Sequence, residues 1–254
     1  MYKKQILMLS MLSVGIGSYT AANAFDLRDL DTALSVGKDL GKAITLNEAD
    51  VKRTAALSAA QMDKQNKVSP ADGKYAKRLA NIVKGLENHD GLTLNYKVYL
   101  ADDVNAFAMP DGTVRVYSGL LDLMQDDDEV LGVIGHEIGH VKLKHSFNQM
   151  RKQLLTNAAF TGAAASSGKV GTLTNSELGG LGYTFINSSF SREDELSSDA
   201  YSVKFLHKRG KNPSAMKEAI LRLEEKYGSG GGFLSSHPSN PKRLEKIQQA
   251  IDAL

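Results

Sequence analysis

No cysteine occurs among the 254 residues. Its absence excludes a disulfide scaffold, a thiolate metal site, a cysteine nucleophile and a lipid anchor built on an N-terminal thiol. An excess of one charge is missing too, with 31 Lys and Arg against 29 Asp and Glu. Two of the basic residues, Lys3 and Lys4, lie in a segment read below as a leader, and without them the signs balance. A neutral chain gives no electrostatic reason to expect nucleic acid as a partner. Nor is there an apolar run of about 20 residues, the length a membrane-spanning helix requires. What is present is an ordinary globular mixture, 42% hydrophobic and 24% charged. Such a chain can bury a substantial core without covalent staples.

Residues 1–24 read as a secretory signal peptide. Lys3 and Lys4 supply the positive region, Ile6 to Ile16 is mostly apolar, and Ala22-Asn23-Ala24 fits a small-x-small cleavage site. Cleavage is expected after Ala24, giving an exported, periplasmic chain with no lipid anchor and no transmembrane segment. Retention of the leader as an anchor is the other reading. Residues 25–254 are expected to form a single domain, with a helical N-terminal part over about 26–66 and a catalytic part over 67–254.

Within the mature chain, Tyr75, Leu79, Ile82, Val83 and Leu86 form one face of a helix after Pro70. Leu92, Leu94, Tyr96, Val98 and Leu100 alternate with Thr93, Asn95, Lys97 and Tyr99, as in a half-buried strand. The extended run Val104 to Met109, the turn signal Pro110-Asp111-Gly112 and the run Thr113 to Tyr117 predict a hairpin. Asp126 to Glu129 mark a helix start, and Lys142, Lys144 and His145 its positively charged end. The apolar residues between them cover much of the circumference, which predicts a buried helix. Thr161 to Gly182, rich in Gly, Ala and Ser, reads as a mobile connection. Tyr183 to Lys208 and Pro213 to Tyr227 look helical, and Asn240-Pro241 caps a last helix. Early strands surrounded by helices give an α+β class.

The decisive segment is His136-Glu137-Ile138-Gly139-His140, an H-E-x-x-H motif inside the expected buried helix. At about 100° per residue the two histidines stand about 40° apart and one turn along, so both imidazoles reach one ion. Glu137 lies about 60° beyond His140, close enough to take a proton from water without being a ligand. On ordinary composition such a match arises by chance on the order of once in a hundred chains of this size. His145 is not expected as a third ligand. On a continuous helix it points about 140° away from His140, so it reads as a charge at the helix end.

A hydrolytic zinc site takes three protein ligands and keeps a fourth position for water. The missing ligand is best sought in Ser191 to Asp199. Glu195 and Asp199 are four apart and share a helical face. One carboxylate can bind the metal while the next, a turn later, accepts the N–H of a ligating histidine. Glu193 and Asp194 point elsewhere and read as solvated charges.

His136-Glu137-x-x-His140 followed by Glu195-x-x-x-Asp199 resembles a gluzincin. More narrowly it is similar to the zinc metalloprotease family of HtpX and the CAAX prenyl protease. The segments Tyr75-Ala76-Lys77-Arg78-Leu79, Asn95 to Tyr99, Asn105 to Met109 and Arg115 to Leu120 look like those of the family's soluble envelope members. The resemblance implies a zincin-type domain, with a small mixed sheet whose edge strand packs against the buried motif helix. It implies one zinc per chain, held by His136, His140 and Glu195, with Asp199 behind the ligands and Glu137 as general base. Ser198 stands where the family pattern has alanine, and the exchange of one small residue for another is expected to have little consequence. A His-Pro-x-x-x-x-Arg segment, here His237 to Arg243, is implied to lie over the active site.

His237 and Arg243 could then stabilise the oxyanion. Alternatively His237 takes the fourth metal position, or His237-Pro238 is a turn capping the last helix. Ala106, Phe107, Ala108 and Met109 are the candidate strand for pairing with an extended peptide. The function expected is an exported zinc endopeptidase acting on unfolded or misassembled envelope proteins, outer-membrane proteins among them, in peripheral contact with envelope assembly proteins. The rival is a chaperone-like binding factor that keeps the fold with little proteolysis.

Overall fold

The computed structural model describes residues 46–161 and 173–254. The expected signal peptide, residues 25–45, which take in the first part of the expected helical stretch over 26–66, and residues 162–172 of the expected connection lie outside the described residues.

Helix α1 (Glu48–Gln65) starts where the Asn47 side chain accepts the Asp50 N–H, a normal cap for otherwise unpaired N–H groups. Helix α2 (Lys74–Ile82) follows and buries Leu79 and Ile82, with Val83 and Leu86 beyond its end. The expected strand over 92–100 is divided. β1 (Asn88–His89) and β2 (Leu92–Thr93) form a small hairpin about Asp90 and Gly91, both at positive φ (53° and 79°). That is the turn an Asp-Gly dipeptide favours. β3 (Asn95–Tyr99) then joins a separate sheet with β4 (Ala106–Ala108) and β5 (Thr113–Tyr117). The order is β3-β5-β4, with β3 parallel and β4 antiparallel to β5. The sheet is therefore mixed, with β4 at an edge, and β4 and β5 form the expected hairpin.

Every residue of β5 is buried because both faces of the sheet are covered. Val98, Ala106, Ala108, Val114 and Val116 face one apolar cluster with α2 and the motif helix. Tyr99, Phe107, Met109 and Tyr117 face a second cluster with Val51, Ala55, Ala59 and Met62 of α1. Tyr99, expected on the polar side of its strand, is buried by that second layer. On the same side, Arg115 of β5 donates from Nε and Nη2 to the two oxygens of Asp63 of α1 (2.8 and 3.0 Å).

After the short helix α3 (Ser118–Leu123), α4 (Asp127–Lys142) carries the motif. The Asp126 side chain caps it, and every residue from Glu129 to Val141 is buried, as expected of a central helix. Its end departs from expectation. Lys144 takes a left-handed conformation (φ 65°), and the chain turns into α5 (His145–Thr161).

The expected mobile connection is corrected in its described part. A capping box of Thr174 and Glu177 starts α6 (Asn175–Ile186). The expected single helix over 183–208 is broken, with α7 (Arg192–Lys208) beginning at a second capping box, Ser191 and Asp194. Helix α8 (Ala215–Tyr227), short 3₁₀ turns at Gly228–Gly230 and Gly232–Ser235, and α9 (Pro241–Asp252) complete the chain. Among the described residues no helix is long and apolar enough to cross a membrane.

Candidate metal centre

Helices α4 and α7 approach closely because α4 lacks side chains where they meet. A Cβ on Gly135 would stand 2.6 Å from the Phe205 ring, and one on Gly139 3.2 Å from the Ser198 Cα. This approach brings Glu195 and Asp199 of α7 onto the two histidines of α4.

His136 Nε2 and His140 Nε2 lie 3.0 Å apart. Glu195 places Oε1 3.4 Å from His140 Nε2 and Oε2 3.6 Å from His136 Nε2. His237 adds Nδ1, 3.2 Å from His136 Nε2 and 3.0 Å from Glu195 Oε1. All four residues are buried. In a tetrahedral zinc site with bonds of about 2.0–2.1 Å, ligand atoms stand about 3.3 Å from one another. The spacing fits.

The hydrogen bonds around the cluster fit as well. His136 Nδ1 lies 2.8 Å from Asp199 Oδ1, so the proton sits there and the Nε2 lone pair points inward. Asp199 is in turn held by Arg243, whose Nε and Nη2 donate at 2.8 and 2.7 Å. Arg243 Nη1 stands 2.8 Å from Glu195 Oε2, but it donates to the carbonyls of His237 and Pro238. Glu195 Oε2 is consequently buried with no hydrogen-bond donor. Facing lone pairs and an orphaned carboxylate oxygen form a set that a cation completes. Three imidazoles and one carboxylate suit zinc.

Burial would raise the Glu195 carboxyl, but the neighbouring His237 and His136 outweigh it and hold it well below the ordinary range. For Asp199 the Arg243 guanidinium outweighs burial in the same direction. Burial drives His140 well below the usual imidazole range. Burial also raises Glu137, against the pull of His237 and His136.

Glu137 stands beside the cluster rather than in it. Its Oε2 accepts the Ala108 N–H of β4 at 2.9 Å, while Oε1 is buried without a donor, 3.3 Å from His237 Nε2. The candidate substrate strand Ala106 to Met109 is itself buried. Of its groups at the open edge, the Ala108 carbonyl accepts from Ser146 Oγ (3.0 Å) and the Ala106 N–H bonds Asn105 Oδ1 (2.8 Å).

Two sequence expectations are revised by this geometry. His145 is not a charge at a helix end. The turn at Lys144 swings it back, so that its Nδ1 lies 3.2 Å from His140 Nδ1, and burial lowers its pKa. Asp194 is not simply solvated, since it caps α7 and stands 3.3 Å from His145 Nε2. Ser198, expected to matter little, places Oγ 3.3 Å from His145 Nδ1. The geometry also adds two aromatic walls. Phe190 stacks on His140 (centroids 3.8 Å apart) and Phe233 on His237 (4.3 Å). Neither has a signal in the sequence, because the stacking depends on segments brought together by the fold. Phe190 also lines two cavities of 620 and 630 Å³, one reaching His145 and the other Glu195.

Residues 74–251 match the model of peptidase family M48. Metalloprotease LoiP of Escherichia coli is 40% identical over 246 residues, covering 95% of this chain and 96% of its own. Metalloprotease YcaL of the same organism is 40% identical over 225 residues, 88% of each chain. A beta-barrel assembly-enhancing protease of Yersinia pestis is 24% identical over 98% of this chain and 52% of its own. With a His-His-Glu-His cluster beside a glutamate on the motif helix, the chain belongs to peptidase family M48 and is a metalloendopeptidase.

Proposed function

We propose that the enzyme is an exported, periplasmic zinc endopeptidase acting on unfolded or misassembled envelope polypeptides. The observation that carries the catalytic part is the convergence of His136, His140 and Glu195 with Glu137 alongside. These three ligands would hold zinc, which when bound would supply Lewis acidity for activating water near neutral pH and for polarising a carbonyl. Glu137 takes the proton from the attacking water and returns it to the departing amine. Its two oxygens suit that role, one anchored on the Ala108 N–H and the other with an unused acceptor. Asp199, oriented by Arg243, keeps the His136 proton on Nδ1. Arg243 thus acts by positioning, its nitrogens bonded to Asp199 and to the His237 and Pro238 carbonyls.

His237 is the fourth donor of a closed arrangement, because its Nδ1 lies among the ligand atoms. Glycines at positive φ, Gly228 (72°) and Gly232 (57°), begin the two turns that precede it. Movement of that segment would open the fourth position and uncover Glu137 Oε1, which His237 Nε2 approaches to 3.3 Å. Pairing through backbone groups suits unfolded substrates of varied sequence. The envelope assignment draws on the leader pattern and on the relative named for β-barrel assembly.

The test is cleavage of unfolded casein by the purified protein, with and without a zinc chelator, beside Glu137→Gln. Glutamine keeps the size but cannot act as base, so zinc should stay bound while activity falls about 100-fold or more. Chelator-insensitive cleavage, or near-normal turnover by the variant, would overturn the mechanism. Polypeptides captured on Glu137→Gln in the periplasm would identify substrates, and capture of folded cytoplasmic proteins alone would count against the envelope role.

A further inference from the structure

The two metal-site histidines of α4 are oriented by different means. His136 has the Asp199 carboxylate at Nδ1, backed by Arg243. His140 has no carboxylate there. Its Nδ1 faces the Nδ1 of another imidazole, His145, at 3.2 Å, with ring centroids 5.2 Å apart and planes at 72°. We infer that His145 is a positioning residue that fixes the proton of His140 on Nδ1 and so presents Nε2 to the metal. The inference rests on the zinc site proposed above.

The tautomers follow from the contacts. For His140 to offer its Nε2 lone pair to the cluster, its proton must sit on Nδ1. That N–H points at His145 Nδ1, which must then accept, so the His145 proton sits on Nε2. There it meets oxygens, Asp194 Oδ1 at 3.3 Å and Ser197 Oγ at 3.4 Å. The reverse arrangement, His145 donating from Nδ1, would put the His140 proton on Nε2, 3.0 Å from His136 Nε2, and spoil the ligand.

The anchor of this arm is itself held. The other oxygen of Asp194 accepts the Ser191 N–H in the cap of α7, the helix that carries Glu195. His145 therefore ties His140 on α4 to the start of the helix bearing the carboxylate ligand. The left-handed Lys144 makes this possible. It stops α4 immediately after the motif and folds the first residue of α5 back onto it. Ser198, which departs from the family pattern, touches the same arm at His145 Nδ1.

The test measures zinc affinity of metal-free protein by chelator competition, in the wild type, His145→Leu and His145→Asn. Leucine cannot accept a hydrogen bond, whereas asparagine places an oxygen near the Nδ1 position. Zinc should bind His145→Leu about 10- to 100-fold more weakly, the usual effect of losing an orienting partner. His145→Asn should recover most of the loss. Melting of the metal-free forms separates this from instability, because a packing role would lower both variants' melting without distinguishing their affinities. In the zinc-loaded wild type, nitrogen NMR should show the His140 proton on Nδ1, a readout that needs no variant. Equal affinity of His145→Leu and wild type, equal weakening in both variants, or a His140 proton on Nε2 would each overturn the inference. A wild type that binds no zinc would instead sink the site on which it rests.

Discussion

Two clusters of charge adjoin the small sheet, one on its face towards α1 and one at its β4 edge, and they differ in how completely they are satisfied. Around Asp63 and Arg115 the hydrogen bonding closes on itself. Asp63 accepts from Arg115, Lys97 and Tyr99, while the remaining Arg115 nitrogen donates to Asn95 and to the Val114 carbonyl. Around His136 it does not close. Lone pairs face one another, and one oxygen each of Glu195 and Glu137 lacks a donor. Desolvated polar groups left unpaired are costly, so the first pattern marks a structural joint and the second a place where a ligand completes the set.

The largest expected effect is at the open cluster. Glu195→Ala on a His237→Ala background should abolish stoichiometric zinc binding, because the two histidines that remain hold the ion weakly. Glu193→Ala, on an exposed residue of the same turn, should leave zinc content unchanged. Metal analysis of the two purified variants decides this, and an empty Glu193 variant would show that the ligand is misassigned.

His237→Ala comes next, and here the sign is informative. Removing a fourth donor should raise casein cleavage while zinc stays bound. A loss of about 100- to 1000-fold would instead mean that His237 stabilises the oxyanion. Lower melting with unchanged turnover of the folded protein would reduce it to a structural turn.

The closed cluster should respond in stability alone. Asp63→Ala leaves Arg115, 3% exposed, without its partner. The cost should be about 3 kcal/mol in denaturant unfolding, the low end for a broken buried pair, since the Asp63 side chain is itself 14% exposed. Zinc affinity should not change. A variant that lost zinc but not stability would erase the distinction between the clusters.

A smaller effect concerns acid. Burial pushes Asp63 up, but Arg115, Lys97 and Tyr99 together hold it below the ordinary carboxylate range. A group depressed in the folded state stabilises fully above its unfolded pKa of about 3.9 and loses that contribution as pH falls through the folded value. Unfolding followed below about pH 4 should therefore be steeper in the wild type than in Asp63→Ala. Parallel acid limbs would show that the pair contributes nothing there.

The motif helix was legible because independent signals agreed on it. Acidic residues open it, basic residues close it, and the histidine spacing matches its turn. The hairpin was legible from Pro110-Asp111-Gly112. The helix at Asn175 was obscured by glycine-rich composition, although its Thr174 and Glu177 box stands in the sequence. The turn at Lys144 was not legible, since a left-handed lysine carries no glycine to announce it. His145 was consequently projected along a helix that had already ended. Phe190, Phe233 and the Asp194 contact depend on distant segments meeting, which periodicity in one chain does not record.

The hold of Arg243 on Asp199 also bears on the order in which the chain is made. Arg243 follows every other member of the centre in sequence, on the last helix. A chain emerging from its N-terminus can fold α4 and α7 and bring the ligands into register before that guanidinium exists. Until α9 docks, Asp199 would be a buried carboxylate with no counter-charge, and its grip on His136 would be loose. The counter-charge that steadies the centre is thus the last of its parts to be supplied.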